Sequence, residues 1–79
     1  FGPPWFNIGR MNTRSFLRRV REIGKANGVD VVYEPGRGRG SHGRLFYGTA
    51  RTIVAEHRGD IPPGTLRAMI RQLGIDEEF

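Results

Sequence analysis

Cysteine is absent from this chain, so disulfides and thiolate metal sites are excluded and a reduced, intracellular setting is expected. Lysine is almost absent too: of thirteen Lys and Arg residues, only Lys25 is a lysine. Acidic residues are the minority, eight against thirteen basic, leaving a formal charge of +5. No apolar run approaches the roughly 18 residues that cross a bilayer. No secretory signal pattern is visible, which makes the cytoplasm the default location and leaves no membrane partner. With two histidines and no adjacent carboxylate cluster, neither a metal site nor a small-molecule cofactor is suggested. There is no internal repeat.

What is present fits one small domain. The 79 residues are 37% hydrophobic and 10% aromatic, enough for a thin two-layer core. A pI near 11.1 points to an acidic partner. Arginine's planar fork suits phosphate contacts and stacks on bases, so its dominance over lysine favours nucleic acid. A coding bias toward Arg would produce the same composition.

One stretch concentrates the chemistry: Gly36-Arg37-Gly38-Arg39-Gly40-Ser41-His42, between two strand-like runs. Arginines hold phosphate, glycines let a polyanion approach the backbone, and an imidazole moves a proton near neutral pH. The histidine falls at a strand entrance within a positive field.

Along the chain, residues 1–10 (FGPPWFNIGR) show neither helical nor alternating period, and Met11 reads as an initiator. They are taken as a tag remnant or flexible N-terminal extension. An arm that docks Trp5 and Phe6 on a partner is the alternative. The folded domain is expected over 11–75. Asn12 or Thr13 can cap a first helix whose buried face is Phe16, Leu17, Val20 and Ile23, and Gly28 suits its left-handed end. Val29–Glu34, Arg44–Tyr47 and Arg51–Ala55 read as three strands, joined closely enough to be antiparallel. A second helix follows Ile61-Pro62-Pro63-Gly64, capped by Gly64 or Thr65, with Leu66, Met69, Ile70 and Leu73 as its stripe. Gly74 should end it, with Ile75 folding back. Residues 76–79 read as a frayed acidic tail. The expected fold is α+β, a two-layer α-β-β-β-α sandwich with a three-stranded antiparallel sheet and both helices on one face. The other face stays open.

Two blocks carry a resemblance: Gly40-Ser41-His42, and Ile61-Pro62-Pro63-Gly64-Thr65-Leu66-Arg67-Ala68-Met69-Ile70-Arg71-Gln72-Leu73-Gly74-Ile75. The chain resembles the double-stranded-RNA-binding fold and, more closely, HicA-type toxins of HicAB toxin–antitoxin systems. The resemblance implies a small endoribonuclease that cleaves mRNA without a metal and is silenced by a cognate HicB-type antitoxin. It also implies that His42 is the catalytic residue. His57 falls where the family often has a histidine, though Ala55-Glu56 precede it in place of the usual proline. The family's aromatic, about three residues after the catalytic histidine, is replaced by Leu45 with Phe46 next. That leaves the strand register to the structure.

The chemistry can be stated residue by residue. RNA cleaves itself when its 2′-OH is deprotonated and attacks the adjacent phosphate. A neutral imidazole takes that proton, or an imidazolium protonates the leaving oxygen, and one such contribution is worth about 10²–10⁴-fold. Glycines and Ser41 leave His42 sterically open. The alternative is a histidine that only hydrogen-bonds phosphate or backbone. Arg37, Arg39, Arg44 and Arg51 are the expected phosphate contacts, with Ser41 holding a phosphate oxygen or shaping the turn. A merely solubilising loop is the competing reading. His57 can supply a second proton-transfer group or a structural hydrogen bond. Tyr33 and Tyr47 can stack on bases if they point outward, although strand alternation puts at least one in the core. A non-catalytic RNA-binding module is the principal alternative function, and a small DNA-binding regulator ranks behind it.

Overall fold

A computed structural model describes residues 11–36, 42–55 and 59–78. The readings placed on 1–10, on Arg37, Arg39 and Ser41, and on His57 lie outside the described residues. The elements are α1 (Thr13–Asn27), β1 (Val31–Glu34), β2 (His42–Tyr47), β3 (Ala50–Ala55) and α2 (Pro63–Leu73). The strands form one antiparallel sheet in the order β1-β2-β3. The expected α-β-β-β-α architecture is therefore the observed one.

Helix α1 starts where the side chain of Asn12 accepts a hydrogen bond from the Ser15 amide at 2.8 Å. That bond satisfies one of the amides a helix N-terminus leaves without a partner. It ends at Gly28, whose φ of 67° is left-handed and open to glycine at little cost. The next amide, that of Val29, donates back to the Gly24 carbonyl at 2.8 Å, and Asp30's carbonyl accepts from Gly48 at 2.9 Å. Those two commitments explain why β1 begins at Val31 and not at Val29. Helix α2 closes in the same way. Gly74 donates to Arg71 at 3.0 Å and Ile75 to Ile70 at 3.2 Å, a Schellman end that seats Ile75 in the core.

Three further boundaries differ from the sequence reading. Helix α2 begins at Pro63, with Pro62 in the capping position and no side-chain cap. A proline in the first turn lacks only an amide that would have had no helical partner. Strand β2 begins at His42, two residues early, because His42 pairs with Ala55 and Gly43 with Val54. Strand β3 begins at Ala50, since Gly48-Thr49 suffices for the turn, with Gly48 at φ 59°. Residues 76–78 do not fray. Glu78 donates its amide to Ile75 at 3.1 Å, and its side chain accepts from Asn27 at 3.5 Å.

Both helices cover one face of the sheet, α1 against β1 and α2 against β3. Phe16, Val20, Leu45, Val54, Ile70 and Ile75 are its fully buried centre. Thr52 is the buried polar side chain among them, and its hydroxyl donates to the amide oxygen of Gln72 on α2. A buried hydroxyl is tolerated when so paired, and here the pair ties α2 to β3. Gln72, exposed on α2, thus fastens the helix to the sheet. Helix α1 reaches the sheet closely at Gly24, where a Cβ would strike Val31 and lie 2.9 Å from the Val29 carbonyl oxygen. The entrances of the two helices are joined as well: Asn12 bridges to Asp60, and Ile61 donates to Met11 at 2.8 Å.

Candidate functional site

The register settles which side chains share the open face. Leu45 is fully buried, opposite Tyr33 on one side and Thr52 on the other, so these three point toward the helices. Successive strand residues alternate between faces. His42, Arg44 and Phe46 of β2 therefore point away from the helices, with Glu34 and Val32 of β1 and Arg51 and Ile53 of β3. The cross-strand rows on this face are Val32–Phe46–Arg51 and Glu34–Arg44–Ile53, with His42 beside Ala55 at the end. Phe46, not Leu45, is thus the aromatic that shares a face with His42.

Of the residues expected from sequence to bind or cleave RNA, the structure brings His42, Arg44 and Arg51 onto one exposed face. It does not bring the tyrosines there. Tyr33 and Tyr47 pack against the core from the helical side, and the Tyr47 hydroxyl accepts from Asn27 at 3.0 Å. Each sits at an inward position of its strand, with the Tyr33 ring reaching the end of the β1–β2 pair.

Glycine holds the backbone around His42 on two sides. A Cβ on Gly43 would lie 2.6 Å from a ring carbon of Tyr33, so that ring passes directly over the glycine. A Cβ on Gly36 would strike the His42 carbonyl oxygen and lie 2.8 Å from its amide nitrogen. The end of β1 therefore lies flat against the start of β2, and His42 is held by main chain packed on main chain. A depression of about 680 Å³ opens at this end of the β1–β2 pair, lined by Tyr33, Glu34, Pro35, Gly36, His42 and Arg44. That size is within the range of small-ligand pockets.

Glu34 and Gly43 were not singled out from the sequence, and Gly36 only as the first residue of the Arg/Gly stretch. The signal for Glu34 was the alternation of VDVVYE, but using it required the hairpin register, which a long loop leaves open. Among the described residues, no helix is long and apolar enough to cross a membrane.

A small two-helix, three-stranded protein with an arginine- and histidine-bearing open sheet face is a class suited to polyanionic partners. A family model described as the HicA toxin of bacterial toxin–antitoxin systems matches residues 18–75. That span is well over half of the chain and runs from within α1 to the second residue after α2, so the chain belongs to the HicA toxin family. It is the toxin of a toxin–antitoxin system, and a cognate antitoxin is its partner. No curated protein and no solved structure matches the chain.

Proposed function

We propose that this toxin is an endoribonuclease that cleaves mRNA without a metal ion, with His42 moving a proton in the reaction. The observation that carries the reading is His42 itself. It is exposed at the first position of β2, beside Arg44, at the edge of a depression large enough for part of a nucleotide. A solvent-facing imidazole next to a guanidinium is equipped to meet a phosphodiester. Arg44 contacts the phosphate oxygens and stabilises charge as the pentacoordinate transition state forms. Arg51, two strands from Glu34 on the same face, extends the positive track. Arg37, Arg39 and Ser41 complete the phosphate contacts in this reading. The HicB-type antitoxin silences the toxin by covering His42 with an acidic surface, which complements the arginines.

The deciding experiment is His42→Ala assayed on labelled RNA in EDTA. Cleavage should fall by about 10²–10⁴-fold, the usual worth of one proton-transfer group. RNA affinity and melting temperature should stay near those of the parent, since the side chain is exposed. Cleavage at the parental rate by His42→Ala removes the assignment. Binding with no product from the parent itself favours the non-catalytic RNA-binding module.

A further inference from the structure

Transesterification of RNA needs two proton transfers, one from the attacking 2′-OH and one to the departing 5′-oxygen. His42 is a single group. The depression it lines holds a second titratable side chain, Glu34, with Arg44 beside both. The β1–β2 register fixes how they stand. Glu34 is directly opposite Arg44, and His42 is two residues before Arg44 on the same face, so Glu34 and His42 are diagonal neighbours. Diagonal positions across an antiparallel pair are about 7–8 Å apart, within reach of long side chains. Side chains as long as glutamate and histidine can both reach one phosphodiester from such positions. All three side chains are exposed at these positions. Their strands are paired through Glu34 and Arg44, and Gly36 lies close against the His42 main chain just beyond.

A carboxylate placed among arginines is unexpected in a surface that merely attracts phosphate, because it repels the ligand. It is expected where a proton must be removed. Resting on the ribonuclease reading above, we propose that Glu34 is a second catalytic residue, the general base, and that His42 is the general acid. The assignment follows from what each group can do: an ionised carboxylate only accepts, whereas an imidazolium donates from either nitrogen. Glu34 takes the 2′-OH proton and the 2′-oxygen attacks phosphorus, forming the new P–O bond. The bond from phosphorus to the 5′-oxygen breaks, its electron pair leaves with that oxygen, and His42 supplies the proton. The products are a 2′,3′-cyclic phosphate and a 5′-hydroxyl end. Exchange with water returns the proton from Glu34 to His42, so no co-reactant is consumed. Arg44, across from Glu34 and beside His42, donates to the non-bridging oxygens throughout.

The test uses the full chain and a 5′-labelled single-stranded RNA of mixed sequence, in single-turnover cleavage and in binding. Glu34→Gln should slow cleavage by about 10²–10⁴-fold. Its RNA affinity should be equal to or higher than the parent's, because a negative charge beside the phosphate is gone. A matching RNA with sulfur in place of the bridging 5′-oxygen separates the two roles, since a thiolate leaves without being protonated. On that RNA, His42→Ala should regain cleavage while Glu34→Gln stays slow. Rescue of Glu34→Gln instead, or equal losses of cleavage and binding by that variant, overturns the assignment. Glu34→Gln at the parental rate with His42→Ala inactive removes Glu34 and leaves the ribonuclease standing. Both variants at the parental rate remove the ribonuclease reading. Should Glu34→Gln fail to fold, Glu34→Asp decides: slowed cleavage with unchanged binding supports the base, and the parental rate overturns it.

Discussion

The two faces of the sheet are made by the same three strands and differ only in which alternate residue each strand turns toward the helices. On the covered face, Leu45 and Val54 are fully buried and Thr52 nearly so. On the open face, Val32 and Ile53 are 51% and 55% exposed, and His42, Glu34, Arg44 and Arg51 stand around them. Helix packing accounts for every side chain on the first face. It accounts for none on the second, where charged side chains are free to answer to a ligand. The lesson is a division at single-residue resolution: of neighbours in sequence such as Arg44 and Leu45, one faces solvent and the other the core.

Substitutions that trade one face against the other put this division at risk. The largest stability effect should come from Leu45→Ala, which removes a fully buried side chain from the middle strand. A loss of about 2–5 kcal/mol by chemical denaturation is expected, and for a domain this small that threatens folding altogether. Gly36→Ala tests the boundary between the faces. Its new methyl must push the His42 main chain aside, so RNA cleavage should fall by about 10²-fold and the melting temperature should drop as well. A large drop in stability with parental cleavage per folded molecule would show that Gly36 serves the fold and not the site. Arg44→Ala and Arg51→Ala should each weaken RNA binding across sequences and reduce the slope of log affinity against log salt by about 1. An unchanged slope would take that residue off the phosphate track. Ile53→Ser is the smallest case, since a half-exposed residue on the open face should change stability by no more than about 0.5 kcal/mol. A cost comparable to that of Leu45→Ala would mean that this face is not open in solution.

The helices were legible because each signal was local. Phe16, Leu17, Val20 and Ile23 recur at helical spacing, as do Leu66, Met69, Ile70 and Leu73, and all eight are buried. Gly28 and Gly74 stop them in the left-handed region, where glycine lacks the Cβ that would clash. The strands were found in place but with shifted ends, because pairing partners decide where a strand starts. His42 and Gly43 belong to β2 only because Ala55 and Val54 are opposite them. For the proposed site the sequence offered residue types, a histidine among arginines, but not which side chains share a face with that histidine. Tyr33 was a candidate for stacking on RNA and its strand position turned out to face the helices, whereas its neighbour Glu34, passed over, shares the open face with His42. A shift of one residue in the hairpin would have exchanged their roles. Gly24 gave no warning either, since a glycine within a helix reads as a weak point until the Val31 side chain is seen against it.

The order of elements, the helix ends, the core stripes, the positive charge and the presence of His42 follow from the amino acids alone. Each depends on residues within a turn or two of one another, and backbone sterics and hydrophobic period act at that range. Which residues join His42 on its face, and how closely Gly36 seats it, was decided by the folded chain. Those relations join β1 to β2 across a loop whose composition does not dictate the register, so only the packing of Leu45, Tyr33 and the helices could choose it.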